Sequence, residues 1–375
     1  MAARYIHELK GWPKFLWRQE ELAASLADAH HAQGRLMGRM ESLGFALRSE
    51  AELETLTEEI VKSSEIEGEK LSKEQVRSSI ARRLGMDVGA LAPADRHVEG
   101  AVEMMLDATR NYSKPLSARR LSDWHAALFP TGRSGMTRIR AGRWRDDRSG
   151  PMQVVSGPMG RERVHYQAPA AGRLDKEMRA FLAWLNGKET PDPILKAGIA
   201  HLWFVTIHPF DDGNGRIARA IADMALARSE HSAQRFYSMS AQIRAERKAY
   251  YEILENTQKG DLDITPWLAW FLDCLRRAIG GAETILANVL AKADFWKAHA
   301  AEPLNERQRK ILNRVLDGFE GKLTSSKWAA LGKCSQDTAS RDIDDLVNRK
   351  ILVRQPGGGR STSYALVSPD TVSRA

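Results

Sequence analysis

Twelve consecutive residues, HPFDDGNGRIAR from His208 to Arg219, concentrate side chains suited to phosphate chemistry. Gly213 and Gly215 flank Asn214, so the backbone there can take left-handed dihedrals and let an anion approach closely. A helix that starts at this point presents unpaired N–H groups and a partial positive charge to such an anion. Arg216 and Arg219 lie three residues apart, on one face of that helix, and planar guanidinium groups grip phosphate oxygens in pairs. His208 suits a base near neutral pH, and Asp212 is a single carboxylate able to help hold hydrated magnesium. The plainer alternative is a tight interhelical turn with a capping aspartate and exposed arginines. Spacing alone leaves both open.

Helical segments must position this loop. "DPILKAGIAHLWFVTI" leads into it and "RIARAIADMALARS" leaves it. Helical periodicity also marks "RQEELAASLADAHHAQGRLMGRMESLG", "SKEQVRSSIARRLG", "HVEGAVEMMLDATRN", "SARRLSDWHAALF" and "AGRLDKEMRAFLAWLNG". "SEAELETLTEEIVKSSEIEGE" opens with Ser49 three residues before Glu52, a capping-box pattern, and stops near Gly68. Residues 142–169 break the pattern, with "MQVV" and "RVHYQ" around "SGPMG" predicting a hairpin. His201, two turns before His208, is read as a helix-packing residue rather than a second metal ligand. After about residue 300, three short helices and two strands around a glycine-rich tip predict a winged helix.

The chain has 375 residues, enough for two or three domains, with 43% hydrophobic and 28% charged residues. It lacks a membrane-length apolar run and a secretory core near residue 1, so a cytoplasmic protein with no signal peptide and no membrane partner is expected. Its two cysteines, Cys274 and Cys334, read as free thiols. A net charge of +8 permits phosphate or nucleic-acid partners without demanding them.

The pattern His-Pro-Phe-x-Asp-Gly-Asn-Gly-Arg-x-x-Arg resembles the Fic signature at every defining position. The resemblance covers roughly residues 95–275. It implies a mostly α fold: a Fic helical bundle with a β-hairpin flap, an N-terminal helical module and a C-terminal winged helix-turn-helix domain. It further implies transfer of AMP from ATP to a hydroxyl of a target protein or of the chain itself. His208 would be the base, and Asp212 would bind Mg2+ bridging the α- and β-phosphates. Gly213, Asn214 and Gly215 would form the anion nest, with Asn214 orienting the α-phosphate. Arg216 would hold the departing pyrophosphate and Arg219 the γ-phosphate. Tyr251, Leu254 and Gln258, spaced three and four apart, resemble positions lining the adenine pocket, although core packing explains that spacing too. Val154 and Val155 in the hairpin would pair with an extended target segment by β-augmentation.

"SSEIEGE" resembles the family's inhibitory motif in the form placed before the core. Glu67 would then pair with Arg219, with Ser63 one turn earlier and Gly68 ending the helix. The domains expected are 1–45, an N-terminal helical module whose Trp12, Phe15 and Trp17 read as packing; 46–94, a linker with the inhibitory helix; 95–285, the Fic core; and 300–368, the winged helix. From residue 305 onward 13 Lys+Arg face 8 Asp+Glu, a net of +5. The recognition helix nevertheless carries Asp337, Asp342, Asp344 and Asp345 against Arg341 and Arg349, with Arg354 and Arg360 on the wing. DNA and protein are both open as its partners, as is a homodimer. Competing readings keep the fold but remove AMP or use another nucleotide or phosphate donor, or make the chain a nucleotide-sensing DNA-binding transcription regulator.

Overall fold

The computed structural model describes residues 5–86, 92–148, 150–158, 161–187, 191–318, 321–355 and 362–367. The chain divides into two compact units, residues 1–286 and 287–375.

The first unit is a helical bundle. Its helices are α1 (Gln19–Glu41), α2 (Phe45–Ile66), α3 (Lys73–Arg83), α4 (Arg96–Arg110), α5 (Ala118–Leu128), α6 (Leu174–Asn186), α7 (Pro193–Ile207), α8 (Asn214–Glu230), α9 (Met239–Ala245), α10 (Arg247–Lys259) and most of α11 (Thr265–Ala298). Caps recognisable in sequence start several of them: Ser72, Asp95, Ser117 and Asp192 each accept a backbone N–H in the first turn. α7 and α8 form the centre. Every residue of α7 from Ala197 to Ile207 is buried, so this helix is covered all round instead of presenting one amphipathic face. Among these helices α2 departs from expectation. It begins at Phe45 behind Gly44, so Ser49 sits inside the helix and the predicted capping box is not formed. Glu52 is instead buried, where it accepts hydrogen bonds from Arg110 at 2.5 Å and Gln234 at 3.0 Å.

Two hairpins interrupt the helices. β1 (Arg133–Ser134) pairs with β2 (Thr137–Arg138), a ribbon too short to show as a sequence pattern. β3 (Gln153–Ser156) pairs antiparallel with β4 (Arg163–Gln167), where the hairpin is expected, although Met159 and Gly160 of its tip lie outside the described residues. Tyr5 and Tyr166 pack edge-to-face beneath it. Trp12 and Phe15 pack against Trp203 of α7, the structural use expected of that aromatic group, while Trp17 bonds Gln19. No described helix is long and apolar enough to cross a membrane. Cys274 and Cys334 are free thiols.

The second unit contains α12 (Glu306–Leu316), β5 (Leu323–Thr324), α13 (Ser325–Gly332), α14 (Gln336–Asn348), β6 (Leu352–Arg354) and β7 (Ser363–Leu366). The sheet order β5-β7-β6 adds one strand to the expected pair. Trp328, Ile343 and Leu346 lie in its core. Asp342 does not face outward: it is buried and accepts from Arg307 at 2.5 and 2.8 Å and from the Trp328 indole at 3.1 Å. Asp345 turns to Gln308 and Arg349. Two of the four acids that argued against a polyanion on α14 are therefore structural. Arg360 lies outside the described residues.

Candidate active site

α7 ends at His208, whose backbone is left-handed (φ 51°, ψ 59°). That conformation turns the chain sharply out of the helix and is rare for a residue other than glycine. Its Nδ1 lies 3.2 Å from the Val205 carbonyl oxygen, one turn back. A carbonyl only accepts, so Nδ1 carries the proton and Nε2 keeps its lone pair. Burial pulls the imidazole down to about 4, against the opposing Val205 hydrogen bond. His208 is thus neutral at pH 7, in the tautomer a base requires.

The loop after it is stapled by Asn214. The Asn214 amide accepts from the Phe210 N–H at 3.0 Å and donates to the Phe210 carbonyl at 2.8 Å. Both ends of that side chain are thereby committed, which leaves the backbone N–H of Asn214 as its group for an anion. Phe210 is fully buried and stacks on His125, with ring centroids 4.1 Å apart and planes 5° from parallel. Gly213 caps α8 at φ +76°, and a Cβ there would stand 2.8 Å from the Phe129 ring. The first N–H groups of α8 have no partner of their own within the helix, while the Gly213 N–H just ahead of them donates to the Asp212 carboxylate.

Arg216 and Arg219 extend from the first turns of α8, but they are not exposed: both are almost fully buried. Each meets a carboxylate from the end of α2. Arg219 Nη2 donates to Glu67 Oε1 at 2.8 Å and to the Ser63 carbonyl at 2.9 Å, and its Nε donates to Ser63 Oγ at 2.9 Å. Burial alone would lower this guanidinium, yet Glu67 beside it raises it above its ordinary range. Arg216 Nη1 donates to Glu69 Oε2 at 2.6 Å and its guanidinium lies over the Phe129 ring. The backbone explains how two acids converge. Gly68 ends α2 in a left-handed conformation (φ +87°), and the Glu69 N–H returns to the Ser64 carbonyl. Glu67 and Glu69 therefore flank one glycine and reach neighbouring cations. A Cβ on Gly215 would overlap the Glu67 carboxylate. From the other side, Arg247 Nε donates to the Ile66 carbonyl at 2.9 Å and the Tyr251 hydroxyl lies 3.4 Å from it.

Asp212 accepts from Ser134 Oγ and from the Gly213 N–H. Among the described residues no cluster of three or more His, Cys, Asp or Glu could enclose a metal ion. This donor set fits only a cation whose other ligands are phosphate oxygens and water, the usual habit of magnesium. Of the three residues matched to an adenine pocket, Leu254 and Gln258 are buried and Tyr251 is partly exposed, with Gln258 Nε2 bonded to Thr206 Oγ1 at 3.3 Å. In the hairpin Val154 packs toward Tyr5 and Tyr166, and Val155 is exposed. Only Val155 of the pair projects into solvent, while β3 has one edge unpaired among the described residues.

Several supporting residues carry no sequence signal. Arg145 is buried, donating from Nε to the His208 carbonyl at 2.7 Å and from its backbone N–H to the Pro209 carbonyl at 2.9 Å. His125 accepts from the Gly142 N–H at Nδ1, so its Nε2–H is the donor toward the Asp212 carbonyl at 3.2 Å. Glu69 was visible only as an acid two residues beyond Glu67. His201 bonds the Tyr250 hydroxyl at 2.9 Å and packs on Trp267, as the helix-packing reading expected.

This arrangement, a buried central helix ending in a neutral histidine and turning through a glycine-flanked asparagine into two buried arginines, defines a Fic-type fold. Residues 115–226 match the profile of the Fic/DOC family, and residues 5–86 match a domain of unknown function, DUF4172. The chain therefore contains a stretch, residues 115–226, that is similar to the Fic/DOC family. It is 29% identical over 236 residues to protein adenylyltransferase Fic of Aedes aegypti, covering 61% of this chain and 42% of that protein. To the protein of the same name in Nematostella vectensis it is 37% identical over 113 residues, 30% of this chain and 25% of the other. The chain thus spans less than half the length of these curated relatives. A solved structure of a Fic domain containing signaling protein from Bacteroides thetaiotaomicron shares the fold, with a TM-score of 0.50 and 18% identity over 69% of this chain and 98% of that one.

Proposed function

We propose that this chain is a protein adenylyltransferase that moves AMP from ATP to a hydroxyl of a target protein or of itself, and that Glu67 holds it in check. The observation that carries the reading is the tautomer of His208, with Nδ1–H directed at the Val205 carbonyl so that Nε2 is the basic nitrogen. A phosphate sensor would need the cradle but not a poised base.

In this reading the N–H groups of Asn214 and Gly215, in the turn that Gly213 permits, hold the α-phosphate, and His208 Nε2 takes the proton of the incoming hydroxyl. Arg216 and Arg219 draw the charge that builds on the departing pyrophosphate. Fixed dipoles and cations in a partly dry site stabilise such charge without reorganising. Asp212 would hold a magnesium ion, which supplies further positive charge to the phosphates when bound. Tyr251, Leu254 and Gln258 would border the adenine, and Val155 at the open edge of β3 would meet an extended target strand. The Arg219–Glu67 and Arg216–Glu69 pairs occupy the two cations that the phosphates require, which supports the inhibitory reading of Ser63, Glu67 and Gly68.

Intact-mass analysis after incubation of the Glu67→Gly chain with ATP and magnesium tests the proposal. A mass gain equal to AMP is expected, and it disappears in Glu67→Gly/His208→Ala. A gain equal to phosphate, or modification that survives loss of His208, would overturn it.

A further inference from the structure

The hairpin carries a second group of reactive side chains that the phosphate cradle does not use. Ser156 Oγ of β3 lies 2.6 Å from His165 Nε2 of β4, and His165 Nδ1 lies 2.7 Å from Glu255 Oε2 of α10. A carboxylate accepts only, so it fixes the Nδ1–H tautomer and leaves Nε2 to receive the Ser156 proton. Ser156 is exposed, while Glu255 is mostly covered.

The register shows how the imidazole is aimed. Val154 pairs with Tyr166 and Val155 with Val164, which leaves His165 as the extra residue of a β-bulge. Bulges re-aim side chains and concentrate next to reactive sites. Ser156 is paired with Arg163, whose Nη2 donates to Glu255 Oε1 at 2.9 Å, and Lys259 Nζ donates to the same oxygen at 2.6 Å. Burial of Glu255 is outweighed by its bonds from Lys259, His165 and Arg163, which hold its carboxyl down at about 2. The anion behind His165 therefore persists across any working pH. Arg163, largely exposed, is also the cross-strand partner of Ser156.

We propose that Ser156, His165 and Glu255 form a second reactive centre in which Ser156 accepts an acyl or phosphoryl group from an activated ester. Ser156 Oγ bonds to the electrophilic carbon or phosphorus as its proton passes to His165 Nε2. The bond to the leaving group breaks, and that group departs with the proton from His165. Arg163 faces the negative charge that develops on the attacked group. Ser156 and His165 are the catalytic residues, and Glu255 is a positioning residue acting through His165. This centre stands independently of the adenylyltransferase reading.

Labelling of the full chain with a fluorophosphonate, followed by peptide mapping, tests it. Ser156 is expected to label ahead of every other serine, and the adduct to vanish in Ser156→Ala. Loss of a positioned base costs about 100-fold or more, so His165→Ala should slow labelling by that factor. Arg163→Ala should slow it less. Glu255→Gln should slow it and alter its pH profile, because the tautomer is no longer held, whereas a merely structural carboxylate would leave the profile's shape unchanged. Circular dichroism confirms that each variant is folded. Absence of a Ser156 adduct in folded wild-type chain, or equal labelling rates in wild type and His165→Ala, overturns the proposal.

Discussion

Removing the carboxylate of Glu67 gives the sharpest test of the proposed restraint. Arg219 makes three hydrogen bonds to α2 and its C-terminal cap, and only one of them, at 2.8 Å, involves Glu67. Glu67→Gly removes that bond but leaves both Ser63 contacts, so the buried guanidinium stays anchored and the chain stays folded. A hydrogen bond between charged groups contributes about 1.5–3 kcal/mol. If a nucleotide reacts only when Arg219 is free, the reaction rate follows the free population, and that energy becomes a gain of about 10- to 150-fold at about 1.4 kcal/mol per decade. Glu69 is more open to solvent, with 43% of its side chain exposed, so its pair with Arg216 is screened and weaker. Exposed pairs contribute about 0.2–1 kcal/mol, which predicts a rise of at most about fivefold for Glu69→Gln. The assay is the initial rate of ATP-dependent self-modification, read by intact mass at saturating ATP and magnesium. Equal rates for wild type and Glu67→Gly would refute the restraint. A larger gain from Glu69→Gln than from Glu67→Gly would show that burial does not decide which pair matters.

Other consequences are equally direct. His125, His201 and His208 are held by burial at about 4, 3 and 4, below the ordinary 6.5. Lowered values in the folded state mean that the unfolded chain takes up these protons first, so stability present above pH 6.5 is lost as the pH falls toward 4. With three protons of difference the slope approaches about 4 kcal/mol per pH unit near pH 5; thermal melts of wild type and His201→Gln should differ in slope by about a third. Asn214→Ala strands the Phe210 N–H and carbonyl and should cost about 1–3 kcal/mol, measured by urea melts, with activity falling as the nest loosens. Gly215→Ala pushes the Glu67 carboxylate aside, so Arg219 should become more available; a wild-type rate of self-modification in this variant would count against the close approach. For the second unit, DNA affinity that falls steeply with salt, and less steeply in Arg354→Ala, would assign it to a nucleic acid; a flat response would assign it to a protein.

The elements legible in the sequence share one property: their signals are local. α4, α5 and α7 announce themselves by capping residues and periodicity within a dozen positions. Ser49 shows where local reading fails. Its capping pattern is real as a string, but Glu52 three residues later is taken by Arg110 and Gln234, partners 58 and 182 residues away. Once that acid is buried in a tertiary pair, the helix extends back to Phe45. β1 and β2 were invisible because two-residue strands carry no period, and β5 for the same reason. On α14 a count of acids misjudged the surface, since Asp342 spends its charge on Arg307 inside the fold.

The candidate site divides along the same line, and the division has a physical cause. His208, the glycines and the arginines could be read because the proposed phosphate cradle is made from one turn and the helix after it, a contiguous stretch. What holds that stretch rigid comes from elsewhere. Arg145 grips the backbone of His208 and Pro209, His125 supports Phe210 and Asp212, and Ser134 bonds the Asp212 carboxylate. Arginine, histidine and serine at such positions carry no spacing signal, because their partners are chosen by topology. Glu69 lies between the two cases. It stands two residues from Glu67 in a visible motif, yet its pairing with Arg216 depends on the left-handed turn at Gly68. Without that turn the two acids would diverge, and a single carboxylate would face two buried cations. The glycine that ends α2 is therefore as much a part of the two ion pairs as the acids on either side of it.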